Sequence, residues 1–343
     1  MLYCAGDAIC GLLGMARFVA VTLFLAAIMG GAYLFERMNF TAPGPAAPGG
    51  AESTVVLVAP GERVLSIAHT LEAAGAVSNG PLFALGVRLR GEGAELKAGE
   101  YAIPSRASMD DVAAILISGK SIQHKVTAAE GLTSQMIYAI VNSDPVLQGD
   151  AGPVPAEGTL LPETYLYTHG ATRSELLDRM REAQQKFLRQ AWPARAANLP
   201  FRSPEDAVIL ASIVEKETAI PQERRHIAAV FINRLRLGMK LQSDPTIIYG
   251  ISKGYPLGRG IRESEISGFT PYNTYVVTGL PPTPICNPGK DAIAAVLNPQ
   301  QSQDLYFVAD GTGGHVFTPS IAEHERNVAK WRQIENALNH PRR

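Results

Sequence analysis

The chain has 343 residues, of which 46% are hydrophobic and 18% are charged, and its formal net charge is −1. These totals describe a folded protein with one large or two modest domains, and they exclude a disordered chain. A near-neutral chain also lacks the basic surface that is typical of nucleic-acid-binding proteins. We therefore expect no nucleic-acid partner.

The cysteines and histidines do not follow the common metal-binding or disulfide patterns. The three cysteines, Cys4, Cys10 and Cys286, are too few and too far apart for a disulfide framework or a zinc site. The seven histidines show no HExxH or comparable spacing. We therefore predict that the protein has no metal site.

An apolar stretch near the N-terminus is long enough to span a membrane. Residues Phe18 to Phe35 carry no charge, and a helix of this length rises about 27 Å, close to the hydrocarbon thickness of a bilayer. A cleaved signal peptide and a buried core helix are the alternatives. The absence of a small-x-small cleavage site favours a retained anchor. Residues 1–37 are thus interpreted as a cytoplasmic N-terminus and one transmembrane helix, and the true start is either Met1 or Met15.

Residues 38–53 are rich in proline, glycine and alanine. This composition is typical of a linker, here one that lifts a domain off the membrane. The charges that flank the apolar stretch are too sparse to fix its orientation from the positive-inside bias. We nevertheless expect a single-pass protein of the cell inner (cytoplasmic) membrane whose catalytic domain lies in the periplasm or outside the membrane.

Residues 54–124 form the first predicted subdomain. A β-rich run at 54–58 is followed by apolar residues at helical spacing over 64–71, and a second helix begins at Pro81 and covers 81–89. A second strand is predicted at 96–103. This strand–helix–helix–strand (βααβ) order resembles a LysM-like module, which in other proteins binds N-acetylglucosamine chains. A packing subdomain without a ligand is the alternative.

Residues 125–337 have the mixed pattern of an α+β catalytic domain. Within them Ser203 is a strong helix start, because it is a capping residue followed by Pro204 and by acids in the first turn. The helix must end before Pro221. Its body, residues 207–214, is almost entirely apolar, which predicts burial on most sides.

Two glutamates near the end of this helix lie on different faces. Glu217 continues, at helical spacing, the bulky apolar stripe of Leu210, Ile213 and Val214. Glu215 continues the smaller and more polar lane of Val208, Ala211 and Ser212. A carboxyl group beside an apolar stripe is desolvated, which raises its pKa and lets it donate a proton near neutral pH. Glu217 is therefore a candidate general acid, and the alternative is a solvated acid or one paired with Lys216 or Arg224.

Four segments resemble the YceG-like family of endolytic murein transglycosylases. They begin EGTLLPETYLY at 157, ILASIVEKET at 209, PYNTYVVTGLPPTP at 271 and LYFVADGTGGHVF at 305. They occur in the order of the family, within a resemblance that spans roughly residues 54–335. In that family the second glutamate of the E-K-E triplet is the catalytic residue, and that position here is Glu217. The resemblance and the helical-face argument therefore select the same residue.

The resemblance implies a lytic transglycosylase that cleaves the β-1,4 bond between N-acetylmuramic acid and N-acetylglucosamine within glycan strands. Such an enzyme leaves 1,6-anhydro-muramyl ends and terminates the elongation of nascent strands. One carboxyl group suffices, because the C6 hydroxyl of the substrate itself is the nucleophile. The resemblance implies no cofactor, peptidoglycan glycan strands as the substrate and peptidoglycan synthases as partners.

Other polar and aromatic side chains are candidates for contacting the glycan. Alternating aromatic and hydrogen-bonding groups are typical of sugar-binding sites. The candidates are Glu163, Gln242, Asp244, Tyr249, Tyr272, Asn273, Thr274, Tyr275 and His315. Each also has a purely structural interpretation: Asp244 before Pro245 can cap a turn, and Tyr272 can belong to the core.

Two other functions are compatible with the same residues. A lysozyme-like muramidase would hydrolyse the same bond with water, and it would need a second carboxylate or a held water, for which Glu163 and Asp244 are the candidates. A non-catalytic peptidoglycan-binding scaffold would use only the LysM-like module. Replacement of Glu217 would leave the function of such a scaffold intact.

Overall fold

A computed structural model describes the backbone of residues 5–339 and the side chains of residues 18–336. The first helices are α1 Ala5–Thr41, α2 Val64–Ala73, α3 Gly80–Leu89, α4 Met109–Ser118, α5 Ser134–Ser143 and α6 Arg173–Ala191. The later helices are α7 Pro204–Glu217, α8 Arg224–Arg236, α9 Asp244–Ser252, α10 Glu263–Ser267, α11 Lys290–Leu297 and α12 Ile321–Asn339. The strands are β1 Ser53–Val58, β2 Gly99–Pro104, β3 His124–Thr127, β4 Thr164–Tyr167, β5 Tyr306–Ala309 and β6 His315–Thr318.

Helices and strands are mixed along the chain, which confirms the predicted α+β class. The strands of the described residues pair in sequence order as β1–β2, β3–β4 and β5–β6, each in a two-stranded sheet. The β1–β2 and β5–β6 pairs are antiparallel. The chain divides into two compact units, a first unit of residues 1–124 and a second unit of residues 125–343.

The first unit has the predicted strand–helix–helix–strand order. One face of its sheet is apolar because side chains alternate along a strand: Val56 and Val58 of β1 and Tyr101 and Ile103 of β2 are all buried. They pack with apolar residues of α2, α3 and α4 in one core. This order agrees with the predicted one, but a LysM-like identity and glycan binding remain predictions.

The segment predicted as a linker, residues 38–53, is only partly irregular and is held against the first unit. Helix α1 continues through Thr41, and the ring of Phe40 is fully buried in the core of the unit. The backbone N–H of Gly44 donates to the carbonyl of Arg106 at 3.2 Å. Composition indicated flexibility here, but the buried apolar residue and the backbone hydrogen bonds fix the segment.

The core of the second unit surrounds α7. Residues Ala207 to Val214 are all buried, and α7 packs against α8 and α11. Ser203 caps the helix by accepting from the backbone N–H of Asp206, and Pro204 is its first residue. Glu217 is the last helical residue, because Thr218 adopts an extended conformation. The buried helix therefore delivers Glu217 to the edge of the core.

Candidate active site

Glu217, the last residue of α7, is held in place by Ser243, the residue that precedes α9. The hydroxyl of Ser243 donates a hydrogen bond to Oε1 of Glu217. Ser243 occupies the N-cap position of α9, where a serine usually accepts a backbone N–H, but its side chain makes no such cap. The hydroxyl of this buried serine is therefore committed to the carboxyl group and not to its own helix.

Burial raises the pKa of the Glu217 carboxyl group to about 7. The hydrogen bond from Ser243 opposes this shift, the negative charge of Asp244 adds to it, and the positive charges of His315 and Arg234 oppose it weakly. Desolvation dominates because the carboxylate loses its hydration at the edge of an apolar core. Glu217 can thus be protonated near neutral pH and still give up its proton readily, as a general acid/base requires.

A cavity of about 360 Å³ opens beside Glu217. Its volume lies at the lower end of the range typical of ligand sites. It is lined by Glu217, Arg234, Leu241, Gln242, Asp244, Tyr275, Phe307 and His324. The predicted candidates Gln242, Asp244 and Tyr275 therefore lie in the same cavity as the predicted acid.

Arg234 organises the loop that forms one wall of this cavity. The residue is buried on α8, and its Nη1 donates to the carbonyl oxygens of Lys240 at 3.2 Å and Leu241 at 2.9 Å. The same atom lies 3.2 Å from Oε1 of Gln242, and Nε donates to the carbonyl of Leu305 at 2.6 Å. Because one planar guanidinium serves all four acceptors, it fixes the course of the loop.

The loop is held in an unfavourable backbone conformation at Gln242. This residue has a φ of +53°, which is uncommon for a residue with a Cβ. Its backbone N–H donates to the carbonyl of Thr274 at 3.1 Å, and the N–H of Ser243 donates to Oγ1 of Thr274 at 3.0 Å. Thr274 is buried, so it supports the loop and does not line the cavity. Strain of this kind is often found at functional sites.

Asp244 and Tyr275 form a pair in the cavity. The phenol of Tyr275 donates to Oδ1 of Asp244 at 2.7 Å. Burial and the adjacent Asp244 raise the pKa of the Tyr275 phenol, so it remains a hydrogen-bond donor at neutral pH. A second carboxylate is therefore fixed close enough to Glu217 to influence its pKa.

Three other candidates from the sequence, Tyr249, Tyr272 and Asn273, stabilise the fold. The phenol of Tyr249 donates to Oε2 of Glu157 at 3.1 Å, and its ring packs edge-on against Tyr272 with centroids 4.9 Å apart. The amide Nδ2 of buried Asn273 donates to the carbonyls of Glu265, Ile266 and Gly268. None of these three side chains lines the cavity beside Glu217.

Glu163 and His315 also lie outside the cavity lining. Glu163 forms an exposed ion pair with Lys290. His315 places Nδ1 2.7 Å from Oε2 of Glu223, and its charge lowers the pKa of Glu217 only weakly. Within the described residues, no group of three or more histidine, cysteine, aspartate or glutamate side chains could hold a metal ion.

The side chain of Glu215, which is 6% exposed, lies on another side of α7, where it pairs with a cation. Its Oε1 lies 3.7 Å from Nη2 of Arg224, and its Oε2 accepts the backbone N–H of Gly289 at 3.0 Å. The helical periodicity separated the two glutamates as expected. The ion pair with Arg224, which is the alternative interpretation of Glu217, is found at Glu215 instead.

Five residues of the site were not among the sequence candidates. They are Arg234, Leu241, Ser243, Phe307 and His324. Ser243 stands between two predicted candidates, and Arg234 interrupts the apolar pattern of α8, so both left a local signal. Phe307 and His324 are distant in the chain from the rest of the site, and no local pattern singles them out.

Comparison with known proteins assigns most of the chain to one family. Residues 56–330 match the model of the YceG-like family. The chain is 29% identical, over 370 residues, to the endolytic murein transglycosylase of Streptococcus pneumoniae strain D39, covering 94% of this chain and 66% of that protein. It is 32% identical, over 182 residues, to the endolytic murein transglycosylase of Bacillus subtilis strain 168, covering 53% of this chain and 49% of that protein. The chain thus spans less than two thirds of the length of either curated relative.

A solved structure is also similar. The crystal structure of a YceG-like protein from Listeria monocytogenes is 25% identical in sequence and covers 80% of this chain and 98% of its own. The TM-score of the superposition is 0.49.

Proposed function

This chain belongs to the YceG-like family, and on that premise we propose that it is an endolytic peptidoglycan lytic transglycosylase. It cleaves the β-1,4 bond between N-acetylmuramic acid and N-acetylglucosamine and leaves 1,6-anhydro-muramyl ends, which terminates the growth of nascent strands. The observation that carries the proposal is Glu217, a carboxyl group with a pKa of about 7 facing a cavity of about 360 Å³. The names of the relatives from Streptococcus and Bacillus support it.

In the proposed reaction Glu217 acts twice. It first gives its proton to the glycosidic oxygen as the bond from that oxygen to C1 of the muramyl ring breaks. The C6 hydroxyl oxygen of the same ring then bonds to C1, and its proton passes to the Glu217 carboxylate. Atoms and charges balance without water, because the nucleophile belongs to the substrate.

The neighbours of Glu217 have complementary roles. Since Oε1 accepts the Ser243 hydroxyl, the transferable proton is carried by Oε2, which fixes the direction of proton donation. The negative charge of the Asp244 carboxylate stabilises the positive charge that develops on the ring as the glycosidic bond breaks. Tyr275 holds that carboxylate in place. Gln242 and Tyr275 offer hydrogen-bonding groups to the sugar.

The products of the reaction test this proposal. We expect full-length enzyme in detergent, acting on purified peptidoglycan, to generate new 1,6-anhydro-muramyl ends that mass spectrometry detects. New reducing ends in their place would mean hydrolysis, with Asp244 as the second carboxylate, and would contradict the proposal. If the parent enzyme produces no more anhydro ends and no more reducing ends than the Glu217→Gln variant, the protein is better explained as a peptidoglycan-binding scaffold.

Removing the Ser243 hydroxyl tests its role in positioning the acid. A hydrogen bond to a charged group contributes about 1.5–3 kcal/mol, so we expect Ser243→Ala to lower kcat about 10- to 100-fold with little change in KM. The hydroxyl lowers the pKa of Glu217, so its loss should move the alkaline limb of the pH–rate profile above about 7.

The matched control for Ser243→Ala is Ser252→Ala. Ser252 lies at the far end of the same helix, where its hydroxyl donates to the carbonyl of Ile248 at 2.9 Å. This variant should keep the parental rate and pH profile. A Ser243→Ala enzyme with the parental alkaline limb would show that the hydroxyl does not act on Glu217.

The N-terminal helix supports a membrane location. Within the part of the chain that the structure describes, the helix Phe18–Thr41 contains an apolar window of 18 residues that has a mean hydropathy of 2.2 and no buried residues, as expected of a helix that could cross a membrane. A retained single-pass anchor would place the second unit on the outer side of the cytoplasmic membrane, where nascent glycan strands emerge. Peptidoglycan synthases would be its neighbours there, and the LysM-like first unit would contact the same strands.

A further inference from the structure

Helix α1 is joined to the first unit by a tight contact with α3. Glu36 and Phe40 of α1 are both buried. The guanidinium of Arg90 lies 3.6 Å from the centroid of the Phe40 ring and 3.7 Å from Oε1 of Glu36. Only a glycine fits at position 86, because a Cβ there would lie 2.3 Å from the Phe40 ring. The first unit is therefore packed directly on the anchor helix, without a flexible hinge.

The contacts also define which end of α3 lies nearer the membrane span. The ring of Phe83, early in α3, stacks with Phe40 at a centroid distance of 6.0 Å. Gly86, later along α3, and Arg90, the residue that follows α3, lie against both Phe40 and Glu36, and Glu36 lies one turn closer to the span. The C-terminal end of α3 is therefore the end directed towards the bilayer.

The length of the apolar helix sets the depth in the membrane at which α1 contacts α3. A helix that enters the hydrocarbon at Phe18 traverses its thickness of about 30 Å in about 20 residues, and so reaches Arg37. Glu36 and Phe40 then lie at the boundary between the acyl chains and the headgroups. The C-terminal end of α3, which contacts both, lies at the same depth.

The surface of α3 at this depth is apolar. Leu85 and Leu89, one helical turn apart on one face, are 49% and 62% exposed. On α1, Met38 is 73% exposed at the level of the same contact. Arg88 of α3 and Arg37 of α1 can extend their charged ends to headgroups while their apolar stems remain in the boundary. This combination is typical of helices that lie in the membrane interface.

We propose that the Leu85–Leu89 face of α3, together with Met38, is an interfacial lipid-binding surface that seats the first unit on the membrane. The inference rests on the membrane anchor given under the proposed function, and it goes beyond that anchor by assigning a second membrane contact to the folded unit. The occupant is lipid because the contact with α1 fixes this face at the depth where the acyl chains end. The first unit is therefore held at the bilayer surface and is not raised above it.

Nitroxide labels on single cysteines test the proposal in the full chain, reconstituted into nanodiscs of zwitterionic and anionic phospholipid. Cys4 and Cys10 are replaced by serine, and buried Cys286 is kept. Power-saturation spectroscopy then compares collisions with oxygen, which concentrates in lipid, and with a water-soluble nickel chelate.

Labels are placed at Leu89 and Leu85 in the proposed surface, at Leu25 in the span and at Val55 as the control. Val55 is an apolar residue of β1 with a similar exposure of 56%. We expect Leu25, Leu85 and Leu89 to collide preferentially with oxygen, with several-fold fewer nickel collisions than at Val55.

Two results would overturn the inference, and they are distinguishable. If Leu25 is in lipid while Leu85 and Leu89 are as accessible to nickel as Val55, the anchor stands and the lipid-binding surface does not. If Leu25 itself is accessible to nickel, the membrane anchor is wrong, and the surface proposed beside it falls with it.

Discussion

Replacing Glu217 by glutamine is expected to lower the rate of glycan cleavage by about two to four orders of magnitude, the usual contribution of a general acid/base. Glutamine preserves the shape of the side chain but cannot donate the proton. The parent enzyme must start with Glu217 protonated, so its kcat/KM should fall as the pH rises through about 7. The release of anhydro-muramyl ends as a function of pH measures both effects.

The same substitution should raise stability at alkaline pH. The pKa of Glu217 is about 7 in the folded state, against an ordinary value of 4.5, so between these values the folded protein binds a proton that the unfolded chain does not. Stability therefore falls as the pH rises through this window. Glutamine removes that loss, so we expect Glu217→Gln to match the parent near pH 4 and to exceed it by about 1–3 kcal/mol near pH 8. Unfolding in urea at the two pH values measures the difference.

Glu215→Gln is the matched control on the same helix. It removes the charge that faces Arg224, so it should reduce stability and lower activity far less than Glu217→Gln does. An active Glu217→Gln enzyme beside an inactive, folded Glu215→Gln enzyme would reverse the assignment. Activity in both would move the search for the acid to other carboxyl groups, beginning with Glu163.

Replacing Arg234 by methionine is expected to cause the largest loss of stability, about 3–5 kcal/mol. Its guanidinium serves three backbone carbonyls and the Gln242 side chain, and acceptors that stay buried without a donor each cost about 1–3 kcal/mol. The freed loop would also move Ser243 and Asp244 away from Glu217, so activity should fall as well. Chemical denaturation of the full chain in detergent measures the stability.

Arg236→Met provides the control for Arg234→Met. Arg236 lies two residues further along the same helix, is exposed, and donates to the carbonyl of Asn198 at 3.1 Å. Its replacement should change stability by no more than about 0.5 kcal/mol. Arg234→Lys keeps the charge but not the planar fork, so it should recover only part of the loss. Equal stability of Arg234→Met and Arg236→Met would mean that the loop does not depend on Arg234.

The local sequence was sufficient to predict features that depend on interactions between residues within a few turns of each other. The bounds of α7 follow from the Ser203 cap, Pro204 and the approach to Pro221, because capping and proline act within one turn. Periodicity placed Glu217 and Glu215 on different faces, because 3.6 residues per turn fix the relative directions of side chains. The apolar span and the strand–helix–helix–strand order of the first unit were predictable for the same reason.

The local sequence was insufficient to predict contacts between side chains that are distant in the chain. Tyr249, Tyr272 and Asn273 have the chemistry of a sugar site, yet their hydrogen bonds and ring contacts support the fold. Glu163 is acidic but pairs with Lys290, 127 residues away. Composition cannot distinguish a group that faces substrate from one already satisfied by a distant partner.

The sequence by itself predicted the candidate acid, the helix that carries it and the apolar span, since each depends on neighbours within a few turns. Only the tertiary structure decided what surrounds the acid. The Ser243 hydroxyl and the Arg234 guanidinium reach the site through a loop held at Gln242 and Thr274. It also decided that the segment after the span is packed, because burial of Phe40 against α3 depends on residues more than forty positions apart. Contacts of that separation are set by packing and closure of the whole chain, which no local pattern encodes.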